Sequence, residues 1–303
     1  MEPVEVLLRL CALLGRNRQL PDTLVSHVKE LALEEDDELV SMIQTTVESR
    51  LTEELRLLAL KRAKKGVDEI FVKETLEETH MLASIGTARL VNTAAYDGQA
   101  LVYGEVEFDP FVEILEESCK GLQKMNKFVD LGHGIGRATI IARLTTDFEH
   151  ITGYEVIENL FHKSVRLLER YGDLYGKHNL AQFTYECASF LLPEHVQNWL
   201  DADLVFANST CFPDSLLEEI EELAKGLRPG ARIVTFTSRL QNTEHFALVY
   251  RKRLLMSWGY ATVFIHEKLP TGGSGVSPAE EVRREARERM ESLLSDLDYV
   301  DDE

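Results

Sequence analysis

Phe128-Val129-Asp130-Leu131-Gly132-His133-Gly134-Ile135-Gly136-Arg137 is the stretch that decides how this chain is read. An apolar pair runs into an acid, Asp130. Glycines follow at Gly132, Gly134 and Gly136, and then a helical apolar pattern, Ala138-Thr139-Ile140-Ile141-Ala142. Strand, tight turn and helix is a layout in which backbone can approach a ligand closely, because glycine carries no Cβ. The spacing narrows the choice of ligand. A dinucleotide fingerprint wants its third glycine one position later, where this chain has Arg137. A purely structural glycine turn is the plainer reading, but it does not explain an acid and three glycines at this spacing.

Outward from that turn, the 303 residues suffice for an α/β domain and a smaller appendage. No window is long and apolar enough for a membrane span, and the start, Met1-Glu2-Pro3-Val4-Glu5, carries acid where a secretory signal needs base. Cys11, Cys119, Cys187 and Cys211 are too dispersed for a disulfide framework, and free thiols are expected. The net charge of −19 argues against general affinity for nucleic acid, since phosphate contacts need clustered lysine and arginine. It permits a basic protein partner, and equally it can serve solubility alone.

Residues 1–95 read as a helical subdomain. Leu7, Leu8, Leu10, Leu13 and Leu14 make one apolar face, and Leu24, Val28, Leu31 and Leu33 make another before the acidic run 34–38. A helix from Thr52 to Lys65 is expected to stop at Gly66, with one helix or a broken pair over 69–89. Strands are predicted at 127–131, 151–155, 182–186, 203–207, 231–237 and 260–266. Helices are predicted at 136–146, 157–171, 193–200, 213–226 and 243–257. That alternation is the signature of an α/β, doubly wound, mostly parallel sheet over residues 96–270. Residues 271–303 hold a glycine-rich loop, a charged helix over 279–296 and an acidic tail.

The pattern acid-x-Gly-x-Gly-x-Gly resembles the first motif of class I methyltransferases. The resemblance implies a Rossmann-like fold in which the turn cradles the methionyl part of S-adenosylmethionine. Ligands of such sheets bind at the carboxyl ends of the strands, so each further candidate should follow a strand. Glu155, after the second strand, can accept hydrogen bonds from both hydroxyls of an adenosine ribose. Ser189-Phe190, after the third, offers a polar contact and an apolar wall for adenine. Asn208, after the fourth, can accept an N–H from a substrate amine, and Phe212 can wall a channel for an aliphatic stem. Displacement at a sulfonium needs positioning and exclusion of water rather than a protein nucleophile, so Cys211, with no histidine beside it in sequence, is given no nucleophilic role.

Together, Tyr103-Gly104-Glu105, the glycine turn, Gly153-x-Glu155, Ser189-Phe190, Phe206-x-Asn208 and Phe212 occur in the order of the non-SET histone lysine methyltransferases. Residues 96–267 are similar to this disruptor-of-telomeric-silencing family, most of all to its compact trypanosome-type members. The resemblance implies methyl transfer from S-adenosylmethionine to a lysine in the globular core of histone H3, with S-adenosylhomocysteine as product, no metal and a nuclear location. It assigns Tyr103, Gly104, Glu105 and Val106 to a loop contacting cofactor and lysine channel. Phe128, Val129, Asp130, Leu131, Gly132, Gly134, Gly136 and Arg137 fall to the methionyl and ribose region, Glu155 to the ribose, and Ser189 and Phe190 to adenine. Asn208 takes the channel mouth, with Tyr103 and Phe212 as its neighbours in the reaction.

The chain departs from the pattern at His133 (usually serine), Arg137 (glutamine), Ser189 (aspartate) and Ser209 (asparagine). No counterpart of the family's last strand, or of the aromatic pair walling its channel, is recognisable after Ile265. Methyl transfer to a different protein, a nucleic acid or a small amine, and cofactor binding without turnover, are the competing readings. The acidic charge further suggests a preference for free histone over chromatin.

Overall fold

The computed structural model describes residue 53 and residues 56–92 and 103–270. The apolar faces expected before residue 34, the acidic run 34–38, residues 100–102 and everything after residue 270 lie outside the described residues. The chain divides into two compact units, residues 1–65 and 66–303. Residues 56–65 of the first are helical. The second holds the sheet.

Seven strands form that sheet: β1 (Lys127–Leu131), β2 (His150–Tyr154), β3 (Phe183–Glu186), β4 (Leu204–Phe206), β5 (Arg232–Phe236), β6 (Phe246–Met256) and β7 (Gly259–Lys268). Their order is β3-β2-β1-β4-β5-β7-β6. The first five pair in parallel, and β7 runs antiparallel between β5 and β6. This is the doubly wound, mostly parallel α/β sheet that the glycine turn implied. Strand order reverses between β1 and β4, so a crevice opens beyond their carboxyl ends.

The helices are α1 (Leu76–Asn92), α2 (Phe108–Cys119), α3 (Arg137–Thr145), α4 (Glu158–Tyr175), α5 (Pro193–Trp199) and α6 (Asp214–Ala224). Central strands covered on both faces must be apolar throughout, and β4 and β5 are buried at every position. Phe206 of β4 meets Phe111 of α2 edge-on at 4.9 Å and Phe236 at 5.7 Å, and stacks at 6.4 Å with Phe128 of β1. On the opposite face Val129, Leu131, Val205 and Ile233 pack with Trp199, Ile220 and Ala224.

Two local expectations fail. Gly66 does not end a helix: residues 66–70 are helical, and a Cβ at Gly66 would collide with the Tyr175 hydroxyl of α4. Its small size permits close packing. The chain then turns at 71–73 before α1. Glu74, from that turn, pairs with Lys163 at 2.5 Å and Arg170 at 2.9 Å on α4, and Arg170 also donates to the Ile70 carbonyl.

The larger failure is the helix predicted over 243–257, which is strand β6 with its hairpin turn. Apolar residues at 246, 250 and 254 repeat every fourth position, as on a helix face. In the sheet, a register shift between Leu248 and Tyr250 breaks the two-residue alternation that would have announced a strand. As the last strand, β6 is also exposed over Arg251-Lys252-Arg253, which dilutes its apolar pattern. The strand that the sequence reading lacked thus lies before the predicted strand 260–266, not after Ile265.

Removing an aromatic at this junction should be costly. Phe111→Ala is expected to lower unfolding free energy by roughly 3–5 kcal/mol, measured by urea denaturation.

Candidate active site

The crevice at the β1/β4 switch is built outward from the glycine turn. Gly132, Gly134 and Gly136 have φ of +97°, +56° and +86°, a region that favours glycine. The Gly132 and His133 amides donate to the Tyr154 carbonyl at 2.9 and 3.0 Å. The Gly134 amide donates to Glu155 Oε2 at 2.8 Å, and the Ile157 amide to Oε1 at 2.7 Å. One carboxylate therefore ties the turn after β1 to the loop after β2.

Tyr103, Gly104, Glu105 and Val106 form an irregular segment that lies over the turn. A Cβ on Gly134 would stand 2.6 Å from the Tyr103 ring, so the missing methyl is what admits this lid. The Tyr103 hydroxyl donates to Glu105 Oε1 at 2.9 Å, and Arg137 NH1 lies 3.5 Å from Glu105 Oε2. Asn208, just past β4, donates from Nδ2 to the Gly104 carbonyl at 3.2 Å, and its Oδ1 accepts from Thr210. Ser209 fixes that position: its hydroxyl donates to the Phe236 carbonyl and accepts from the Phe236 amide of β5.

Tyr103–Val106, Asp130, Gly132, Gly134, Arg137, Glu155, Ser189, Phe190, Asn208 and Phe212 all line one cavity. Four expected residues do not line it. Phe128, Val129 and Leu131 are fully buried in the core, and a Cβ on Gly136 would meet the Tyr185 hydroxyl at 2.8 Å. They position the turn from behind. Phe212, expected on a substrate channel, stacks with Phe190 at 6.4 Å, so the two rings share one wall. Ser189 keeps its hydroxyl on the Leu191 amide.

Four residues at the site escaped the sequence reading. Trp258, in the β6–β7 turn, packs so closely on Gly104 that a Cβ there would come within 2.7 Å of its ring. Ser257 beside it accepts from the Glu105 amide and donates to the Glu105 carbonyl. Tryptophan in a tight turn would have been the signal, but it was hidden by reading the segment as helix. From the other side His80 of α1 meets Tyr103 edge-on at 5.7 Å, and the buried Phe71 lies 5.1 Å beneath the Arg137 guanidinium. No pattern in the sequence points to those two.

Electrostatically the cavity is prepared for a cation. Burial, reinforced by Glu155, holds the Asp130 carboxyl well above the usual range, and Asp130 Oδ1 is buried without a hydrogen-bond partner. Burial pushes Glu155 up to about 7 against the backbone amides of Ile157, Gly134 and Val156, which favour its charge. Burial and the Glu105 carboxylate push the Tyr103 phenol up, so it remains a neutral donor. His133, stacked on Tyr185 at 4.4 Å, is lowered by burial to about 3 and is neutral. Acids without enough cations, around a glycine cradle, fit an elongated ligand carrying positive charge and hydroxyl donors.

With this geometry in place, residues 87–252 match the family described as "Histone methylation protein DOT1". The chain belongs to that family. Relatives of the DOT1 family named "Histone-lysine N-methyltransferase, H3 lysine-79 specific" include one from Kluyveromyces lactis, 30% identical over 142 residues, covering 45% of this chain and 24% of the relative. The one from Candida albicans is 34% identical over 144 residues, covering 45% and 10%, and that from Drosophila melanogaster is 26% identical over 140 residues, covering 45% and 7%. The match spans a quarter or less of these relatives' length.

The proton on Glu155 yields a stability test. Its folded value, about 7, lies above the ordinary 4.5, so the folded state holds the proton more tightly. That contribution is full below about 4.5 and is lost as pH rises through about 7. Glu155→Gln should therefore gain on the native protein across that window, by on the order of 3 kcal/mol at most. The readout is the slope of the stability difference between pH 4 and 8, which removes any constant cost of the swap. A flat difference would refute the assignment.

Proposed function

We propose that this DOT1-family chain is an S-adenosylmethionine-dependent lysine N-methyltransferase acting on the globular core of histone H3, at the lysine-79 that its relatives' names specify. The observation that carries the reading is the Asn208–Gly104 contact, which brings a strand-end amide and the lid together over the glycine turn. When bound, S-adenosylmethionine would supply a methyl group on a sulfonium, open to in-line attack by a neutral amine with the thioether of S-adenosylhomocysteine as leaving group.

The chain's own residues bind, orient and keep water out. Glu155 would accept both ribose hydroxyls, and Asp130 Oδ1, buried without a hydrogen-bond partner, would take the methionyl ammonium. Phe190 and Phe212 offer the adenine an apolar wall, and Arg137 offers a guanidinium to the methionyl carboxylate. Asn208 aligns the amine, and Tyr103 and Trp258 wall the approach. Tyr103, held protonated, donates a hydrogen bond and is no base. Residues 96–270 form the catalytic region in this reading, with helices before it and an acidic extension after it.

The chain's −19 charge suits a basic histone partner, which electrostatic steering would bring to the site. A nuclear location follows from this substrate. Among the described residues no helix is long and apolar enough to cross a membrane.

Full-length protein incubated with methyl-labelled cofactor and histone octamers should label H3 on lysine, faster on free histone than on nucleosomes. Label confined to other substrates, or binding without transfer, would overturn the reading. Asn208→Ala should cut transfer about 10²-fold while changing cofactor affinity much less, because it removes alignment rather than binding. Cofactor affinity, measured by calorimetry, should weaken as pH falls through about 7, since a protonated Glu155 no longer offers the ribose hydroxyls a carboxylate.

A further inference from the structure

β6 is the end of the sheet, and among the described residues no strand lies beyond it. A bare edge invites another strand, and proteins usually cover it or charge it. Here it is charged in an unusual sense. Arg251, Arg253 and Leu255 alternate along β6 and so share one face, opposite Phe264, Thr262 and Tyr260 of β7. The Arg251 guanidinium lies 5.8 Å from the centre of the Phe264 ring, and that of Arg253 lies 5.0 Å from the Tyr260 ring. Leu255 and Tyr260 are 52% and 66% exposed.

These arginines stand out against the rest of the chain. It carries 52 acids to 33 lysines and arginines, yet among the described residues neither arginine has an ion-pair partner. Their neighbours do: Lys252 pairs with Glu113, and Arg232 with Glu267. Stacking on a ring holds a guanidinium flat while its edge N–H groups stay available to an acceptor. The face reads base, base, apolar at a two-residue period.

One stretch of this chain reads acid, acid, apolar at the same period: Asp296, Asp298 and Val300, within Asp296-Leu297-Asp298-Tyr299-Val300-Asp301-Asp302-Glu303. Extended, it would set both carboxylates on one face at the spacing of Arg251 and Arg253, with Val300 at the spacing of Leu255. We propose that residues 296–303 dock on the β6 edge as an added strand, Asp296 and Asp298 facing Arg251 and Arg253. Addition to an open edge combines main-chain hydrogen bonds with side-chain selectivity. The linking residues 269–295 reach well beyond the length of β6 even when partly extended. Because the hairpin tip, Ser257-Trp258, is bolted to the lid at Gly104-Glu105, a strand added here runs along the edge that ends at the site. It would neutralise the arginines there and leave the rim acidic.

Hydrogen exchange in the full-length chain, read on peptides covering 246–256, tests this. Asp296→Lys with Asp298→Lys leaves β6 itself untouched and should speed exchange of those peptides about tenfold. Arg251→Glu with Arg253→Glu should do the same, and combining all four changes should restore slow exchange. If the aspartate changes leave β6 exchange unaltered, or the four-site combination fails to restore it, the docking is wrong. The other occupant chemically suited to the stripe is a phosphodiester backbone. Duplex DNA bound through Arg251 and Arg253, with affinity indifferent to the aspartate changes, would overturn the proposal in favour of that partner.

Discussion

A buried carboxylate on which two backbone amides converge holds this site together. Glu155 takes the Gly134 amide with one oxygen and the Ile157 amide with the other, and so locks the turn after β1 to the end of β2. Charge in so dry a place is costly, as its raised proton affinity shows. In the proposed function that cost is offset because the same oxygens recognise hydroxyl groups. Asp130 nearby adds a second cost of the same kind, with Oδ1 left unpartnered. A pocket lined with unsatisfied acid has most to gain from a ligand with positive charge and hydroxyl donors. Strain of this kind in the free protein is a form of recognition.

The site was legible in the sequence where function requires particular atoms at particular strand ends. The glycine turn, Glu155 and Asn208 could be placed because a parallel sheet forces ligand contacts to its carboxyl edge. Phe128, Val129 and Leu131 belong to the same motif yet face the core, because alternation along β1 and cover on both sides bury them. A motif marks a neighbourhood rather than a contact list. β6 was misread because a register shift and an exposed edge erase the two-residue period, leaving a chance repeat of four. That error concealed Trp258, since an aromatic residue at a helix end attracts no notice and one at a hairpin tip does. Phe71 and His80 meet the site through tertiary packing alone, and nothing local in the chain announces it.

The lid explains why distant parts of the chain matter to so small a cavity. Tyr103 to Val106 has no regular structure to hold it in place. Asn208 takes its carbonyl at Gly104, Ser257 both accepts from and donates to Glu105, and Arg137 faces the Glu105 carboxylate. Phe71 and His80 add an apolar and an aromatic contact from the segment pinned to α4 by Glu74. Single contacts of this size are weak, and several converging on four residues can define one conformation. Arg137, where the resemblance implied glutamine, is central to this arrangement. Its charge serves Glu105 and its plane lies on Phe71, two contacts that a glutamine could not both make.

That convergence also bears on access to the cavity in the proposed reaction. The lid is fastened to β4 on one side and to the β6–β7 hairpin on the other, so in the proposed reaction the entrance for an amine is bounded by Asn208 and the hairpin-held lid. The outer parts of that passage belong to elements with different obligations. β4 is a central strand, buried at every position and unable to shift without disturbing the core. The hairpin is at the edge of the sheet, with no strand beyond it among the described residues, and is joined to the lid through two hydrogen bonds with a single serine. Change in the width of the entrance must therefore come from the hairpin. In the proposed reaction, the hairpin that packs Trp258 on Gly104 is therefore the element best placed to set how much of a lysine, bare or already methylated, is admitted.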